Sequence, residues 1–179
     1  MVETEAPVNI LLVDDLPANL LALEAMLEGL GQNLVKARSG EEALRQLIHQ
    51  EFAVILLDVL MPGMNGFETA KLIQERDRNR HLPIIFLTAG GKSEIEMFQG
   101  YAVGAIDYLL KPIRPAILRS KVLVLMNLHR RTEEVRQLKE ELRLKRQEME
   151  DLHLMLKNLQ GQPAEAGSPA VEPKRESVK

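Results

Sequence analysis

Five residues of this 179-residue chain could do chemistry together: the acidic pair Asp14-Asp15, a third carboxylate at Asp58, the hydroxyl of Thr88 and the ammonium of Lys111. Each ends or follows an apolar run. Three carboxylates brought together repel one another, and a fold keeps such a group mainly when a cation sits among them. Oxygen-only donors with no His or Cys nearby favour Mg²⁺, which retains waters and needs only one or two protein carboxylates plus a phosphoryl oxygen. With the cation screening the charge, Asp58 can attack phosphorus and become an aspartyl phosphate. Lys111 would supply positive charge for the phosphoryl oxygens, and Thr88 a hydroxyl donor. Taken singly, each residue has a plainer reading. Asp14 and Asp15 could simply favour the start of the helix after Pro17, and Asp58 could bind nearby backbone amides. Thr88 could be an ordinary β-branched strand residue and Lys111 a solvated charge before a turn. Their joint occurrence at the ends of four apolar runs is what argues for a site.

Those runs have to be positioned. Phe52 to Leu57, with β-branched Val54 and Ile55, reads as a strand covered on both faces, ending in Asp58. Pro62, Gly63, Asn65 and Gly66 then form a turn, and Asn65 with Glu68 marks the start of a helix over Phe67 to Arg76. Upstream, Asn9 to Val13 is a second buried strand ending in Asp14 and Asp15. Pro17 opens a helix with apolar Leu20, Leu21, Leu23, Met26 and Leu27, which Gly29 and Gly31 stop. Leu34 and Val35 suggest a short strand, and Ser39 with Glu42 a capping box for the helix Glu41 to Gln50. The charged run Glu75 to Arg80 reads as a solvated turn. Pro83 to Thr88 is another strand, Ser93 and Glu96 cap a helix to about Val103, and Ala105 to Leu110 is the last strand. Alternating strands and helices with short connections require a parallel sheet with helices on both faces. The fold class is therefore α/β, doubly wound, and its strand carboxyl ends would gather the five residues along one edge.

In order, Asp14-Asp15, Asp58 followed by MPGMNG, Thr88-Ala89, Tyr108 and Lys111-Pro112 resemble the receiver domain of two-component response regulators. The resemblance covers about Ile10 to Met126. It implies a flavodoxin-like five-stranded sheet of order 2-1-3-4-5, with Asp58 as phosphoacceptor for a sensor histidine kinase or phosphotransfer protein. It also implies Mg²⁺ held by Asp15, Asp58 and the main-chain oxygen of Leu60, Asp14 acting largely through water. Thr88 and Tyr108 match the family's switch pair, and Lys111-Pro112 matches a peptide bond that is cis in that family. In the family this chain resembles, the positions of Leu60 and Gly90-Gly91 vary and are expected to set phosphoryl lifetime.

After Pro115 no helix breaker occurs until Gly161, so the last helix could run roughly 68 Å at 1.5 Å per residue. Its apolar residues Val124, Leu128, Val135, Leu138, Leu142, Met149, Leu152, Leu156 and Leu159 fall at spacings that fit a coiled-coil seam, with Leu128, Val135, Leu142, Met149 and Leu156 as a positions. Arg131 and Lys145 fall at d and weaken that seam. Glu134, Glu141 and Glu148 at g face Lys139, Arg146 and His153 at e across a parallel two-stranded interface, which points to a homodimer. The same stripe could fold back on its own domain or dock on another protein's helix. His129 and His153 lack any phosphotransfer motif around them and read as surface imidazoles.

The resulting expectation is a flexible start over 1–7, a receiver domain over 8–126, a coiled-coil helix over 127–160 and a disordered tail over 161–179. The absence of cysteine rules out a disulfide framework and suits a reducing cytoplasm. A formal charge of -3, pI near 5.9 and 3% aromatic residues give no footprint for nucleic acid. MVETEAP lacks the apolar region of a signal peptide, and no apolar run approaches the ~20 residues of a membrane span. The functional expectation is a non-enzymatic signalling module, with Mg²⁺-dependent self-phosphorylation and dephosphorylation at Asp58 only, acting on a downstream protein through the coiled coil. The alternative is a phosphorylation-independent scaffold. A haloacid-dehalogenase-like phosphatase is disfavoured because the general acid such enzymes carry two residues after the nucleophile is Leu60 here.

Overall fold

The structure is a computed structural model describing residues 6–90 and 107–160. The helix expected over Ser93 to Val103, residues Gly91, Ala105 and Ile106, and the tail 161–179 lie outside the described residues. In chain order the elements are β1 (Asn9–Val13), α1 (Pro17–Leu27), β2 (Asn33–Ala37), α2 (Gly40–His49) and β3 (Val54–Asp58). They are followed by α3 (Gly66–Gln74), a single 3-10 turn at Asp77–Asn79, β4 (Ile84–Thr88), β5 (Asp107–Leu110) and α4 (Pro115–Gln160). The five strands form one sheet of order β2-β1-β3-β4-β5, every neighbouring pair parallel. This is the doubly wound, flavodoxin-like arrangement that the alternating pattern predicts.

Strand alternation divides the core in two, because successive side chains leave a strand on opposite faces. Ile10, Leu12, Val54, Leu56, Ile85 and Leu87 pack on one face with α1 and the start of α4. Leu11, Val13, Ile55, Leu57, Ile84 and Phe86 pack on the other with α2 and α3. Most of these are fully buried, and burying one such side chain contributes about 1.5–3 kcal/mol. Leu118, Val122, Leu125 and Met126 recur at helical spacing and are the α4 residues that cover the sheet.

Local signals set the ends. Pro17 occupies the first turn of α1. Ser39 accepts from the Glu42 amide, although the Glu42 carboxylate reaches the Arg38 amide rather than completing a reciprocal box. Asn65 and Glu68 do form that reciprocal box, which starts α3 one residue earlier than expected; α3 also ends at Gln74 rather than Arg76. Two expectations need correcting. Leu21 is exposed rather than part of the α1 core face, which Leu20, Leu23 and Leu27 form with a partly buried Met26 packed against them. The charged run after α3 is not wholly solvated: Asn79 is buried, its amide bonded to the Arg76 carbonyl.

Two compact units divide the chain, one ending at Glu134 and the other beginning at Val135. The second is described as helix up to Gln160. Among the described residues, no helix is long and apolar enough to cross a membrane.

Candidate functional site

Parallel pairing puts the carboxyl ends of β1, β3, β4 and β5 on one rim. Asp14 follows β1, with its amide donating to the Ala37 carbonyl of β2. Asp58 is the last residue of β3, paired with Leu87, so Thr88 stands one residue further along the neighbouring strand. The Lys111 amide donates to the Thr88 carbonyl at 2.8 Å, tying the end of β5 to the end of β4. The Lys111-Pro112 peptide is cis, as the resemblance implied.

At this rim Lys111 Nζ donates to Asp58 Oδ1 at 2.7 Å and to Asp14 Oδ2 at 3.0 Å. Asp14, Asp15 and Asp58 each offer a carboxylate oxygen, all mutually within 4.8 Å. Asp14 is fully buried and Asp58 nearly so, while Asp15 is half-buried. Burial pushes the Asp58 carboxyl above its ordinary range; Lys111 opposes this, and the charges of Asp14 and Asp15 add to it. Lys111 is moved upward: burial works against its charge, but the hydrogen bonds it donates to Asp58 and Asp14 outweigh that cost. One ammonium thus serves an excess of negative charge, and the donors are all hard oxygens. Such a set suits a cation of the Mg²⁺ type better than a softer transition metal.

The remaining predicted residues are placed as follows. Thr88 is buried, its Oγ1 accepting from the Gly90 amide at 3.1 Å. Leu60 lies in the loop two residues past Asp58 with its side chain exposed. Tyr108 lies on β5 opposite Phe86 and is 43% exposed. The seam residues of α4 from Val124 to Leu159 are all exposed, each by 49% or more.

Two contributors escaped the sequence reading. Asn19, in the first turn of α1, reaches both oxygens of Asp14 with its side-chain amide at 2.9 Å. Gly66 was legible only as a turn residue. Its amide donates to the Val59 carbonyl, and a Cβ there would meet the Asp58 carbonyl oxygen at 2.2 Å. A residue without a side chain is therefore what lets α3 start against the backbone at the end of β3.

A doubly wound parallel sheet with an acidic cluster and a lysine at its carboxyl rim defines a class of phosphoryl-handling α/β domains. The family model of the response regulator receiver domain matches residues 10–123, and the chain belongs to that family. It is 38% identical over 116 residues to a probable cyclic di-GMP phosphodiesterase of Vibrio cholerae, covering 64% of this chain and 25% of that protein. The chain spans between 25% and 49% of the length of three such curated relatives. Among solved structures, the chemotaxis protein CheY4 of Vibrio cholerae superposes with a TM-score of 0.61 at 32% identity, covering 67% of this chain and 99% of that one. The receiver domain of a sensor histidine kinase from Pseudomonas aeruginosa, with a magnesium ion coordinated in its active-site cleft, gives 0.61 at 32% identity, covering 68% and 99%.

Proposed function

We propose that Asp58 accepts a phosphoryl group from the phosphohistidine of a sensor histidine kinase or phosphotransfer protein. The observation that carries this reading is Lys111 Nζ shared at 2.7 and 3.0 Å between Asp58 and Asp14, with Asp15 completing the acidic cluster. A carboxylate oxygen of Asp58 attacks phosphorus while the bond to the donor imidazole nitrogen breaks. The electron pair stays on that nitrogen, and the product is an aspartyl phosphate. Mg²⁺, held by Asp15, Asp58 and the main-chain oxygen of Leu60 with Asp14 beside it, would screen the carboxylate and the incoming phosphoryl oxygens. Asp58 is already partly stripped of water by its burial, which favours nucleophilic attack once its charge is screened. Lys111 lies where it can follow the new negative charge, and the Thr88 hydroxyl can donate to a phosphoryl oxygen. Tyr108, exposed on β5, is the partner of Thr88 in the switch.

The signal leaves through α4. Residues 8–126 act as the receiver and 127–160 as a parallel two-stranded coiled coil, whose exposed seam runs through Val124, Leu128, Val135, Leu138, Leu142, Met149, Leu152, Leu156 and Leu159. A second copy of this chain is the occupant favoured by the opposite charges at g and e, and an unidentified downstream protein reads the pair. Neither nucleic acid nor a membrane is required, and a cytoplasmic setting suits the chain. Incubating the protein with acetyl phosphate and Mg²⁺ and measuring intact mass tests the first step: one added phosphoryl group is expected, absent in Asp58→Asn. No gain in the wild type, or the same gain in the variant, removes the reading.

A second reading keeps the helix and drops the chemistry. The α4 seam is exposed along its length, and a constitutive scaffold would present that same surface. Equal self-association before and after phosphorylation would favour it.

A further inference from the structure

The carboxylate of Asp14 is fully buried, and the phosphoryl transfer proposed above uses only its charge. Its two oxygens offer about four lone-pair sites, and three donor groups serve them, one of them shared between the two oxygens. Oδ1 accepts from the Leu16 amide at 3.0 Å and from Asn19 Nδ2 at 2.9 Å. Oδ2 accepts from Asn19 Nδ2 at 2.9 Å and from Lys111 Nζ at 3.0 Å. Asn19 is thus the side chain that reaches both oxygens, and it does so from a different element, the first turn of α1. Nothing of the kind holds Asp58, whose side-chain carboxylate accepts from Lys111 alone among the described residues.

We infer that Asn19 is a positioning residue: by filling acceptor sites on Asp14, it keeps that carboxylate from ligating the cation directly and leaves Lys111 shared with Asp58. This rests on the reading of Asp58 as phosphoacceptor and of the acidic cluster as a Mg²⁺ site. The physical argument is one of competition. A buried carboxylate deprived of donors must find others, because an unsatisfied buried charge is costly. Without the Asn19 amide, Asp14 has two ways to recover. It can draw Lys111 away from Asp58, or it can turn toward the cation and become an added ligand. The first slows phosphoryl acceptance, because Lys111 is then held by the wrong carboxylate. The second tightens Mg²⁺ binding, because a third carboxylate joins the site.

The test uses the full chain with Asn19→Leu, nearly the same volume without a donor, and Asn19→Gln, which keeps the amide. Two quantities are read: Mg²⁺ affinity by titration calorimetry with the metal alone, and the rate of phosphoryl incorporation from acetyl phosphate at saturating Mg²⁺. Asn19→Leu is expected to incorporate phosphate about tenfold more slowly, the loss of a charge-assisted hydrogen bond, to bind Mg²⁺ several-fold more tightly, or to do both, and either change supports the inference. Asn19→Gln should reverse part of either change. Unchanged affinity and rate in Asn19→Leu would overturn the inference. So would a parallel loss of both with a lowered melting temperature, which would mark Asn19 as a support of the fold only. Should Asn19→Leu fail to fold, Asn19→Ser carries the same two measurements. If the wild type takes no phosphoryl group, the Asp58 reading fails, while the metal titration still decides what Asn19 does to the acidic cluster.

Discussion

Lys111 and Asp58 meet at 2.7 Å across 53 residues of sequence, at the ends of two strands that are not neighbours in the sheet. β4 lies between them, and the bond from the Lys111 amide to the Thr88 carbonyl brings the lysine across it. The same ammonium reaches Asp14, so one positive charge offsets two nearly dry carboxylates. Removing it leaves buried negative charge without its donor, which is more costly than losing an exposed ion pair.

Lys111→Met should therefore destabilise the metal-free protein by about 1.5–3 kcal/mol, the range for hydrogen bonds to charged groups. Saturating Mg²⁺ should recover more stability in this variant than in the wild type, since the cation then replaces the missing charge. Urea melts with and without Mg²⁺ measure both. An Mg²⁺ increment no larger than the wild type's would count against a shared role for Lys111 and the metal.

Asp58→Asn should stabilise the metal-free protein. Burial, with Asp14 and Asp15, raises the Asp58 carboxyl above its ordinary value of 3.8, so between the two values the folded state holds a proton that the unfolded chain has released. The stability this group contributes is complete below 3.8 and is lost as pH rises through the raised folded value. The metal-free wild type should accordingly lose stability relative to Asp58→Asn as pH climbs from about 4 toward neutrality. Lys111, raised above 10.5 in the fold, contributes stability that disappears only at alkaline pH. Paired melts across this range, in a chelator, give the difference curve. A flat curve would contradict the sign.

Much of this arrangement could be read before any coordinates because strand ends carry it. Asp14, Asp58, Thr88 and Lys111 each close an apolar run, and parallel topology leaves such ends no other edge to share. Asn19 could not be read that way. Its contact with Asp14 spans a turn into a helix, and neither hydrophobic period nor spacing marks a side chain that turns back on the preceding strand. Gly66 was hidden for a different reason, since a turn glycine and one required by a close backbone approach look alike in sequence. Tyr108 and Leu110 are exposed while Leu109 is buried, which is the alternation of an edge strand. Among the described residues β5 pairs with β4 alone, at the edge of the sheet.

Gly66→Ala should be among the costlier single-methyl changes in the chain. The new Cβ would meet the Asp58 carbonyl oxygen at 2.2 Å and the Val59 Cα at 2.9 Å. Both are backbone, so neither can rotate away. A loss of about 1–3 kcal/mol is expected from overpacking, with slower phosphoryl incorporation because the end of β3 must shift. Gly40→Ala is the control. Its Cβ meets side chains, Thr69 Oγ1 at 2.2 Å and Met64 Sδ at 2.9 Å, and displacing these should leave the Asp58 backbone in place. Chemical denaturation and acetyl phosphate labelling separate the two: equal labelling rates would show that Gly66 matters to folding alone.

The coiled-coil proposal turns on two cations in its seam. Arg131 and Lys145 occupy d positions, and each has a glutamate of its own helix beside it: Arg131 lies 3.0 Å from Glu134, and Lys145 lies 3.5 Å from Glu141. Those glutamates are the g residues that would face Lys139 and Arg146 of a second copy. In a parallel dimer each d layer then sets two like charges against each other, softened by the g carboxylates, so association should be weak. Replacing both with Leu should strengthen self-association by well over tenfold, because each layer trades repulsion for apolar burial. Leu142→Glu, at an a position 63% exposed in the single chain, should abolish it while leaving the receiver's melting temperature unchanged. Sedimentation equilibrium reads both. If Arg131→Leu with Lys145→Leu leaves the mass monomeric, or Leu142→Glu leaves a dimer intact, the second copy is not what covers this seam, and a helix of another protein takes its place.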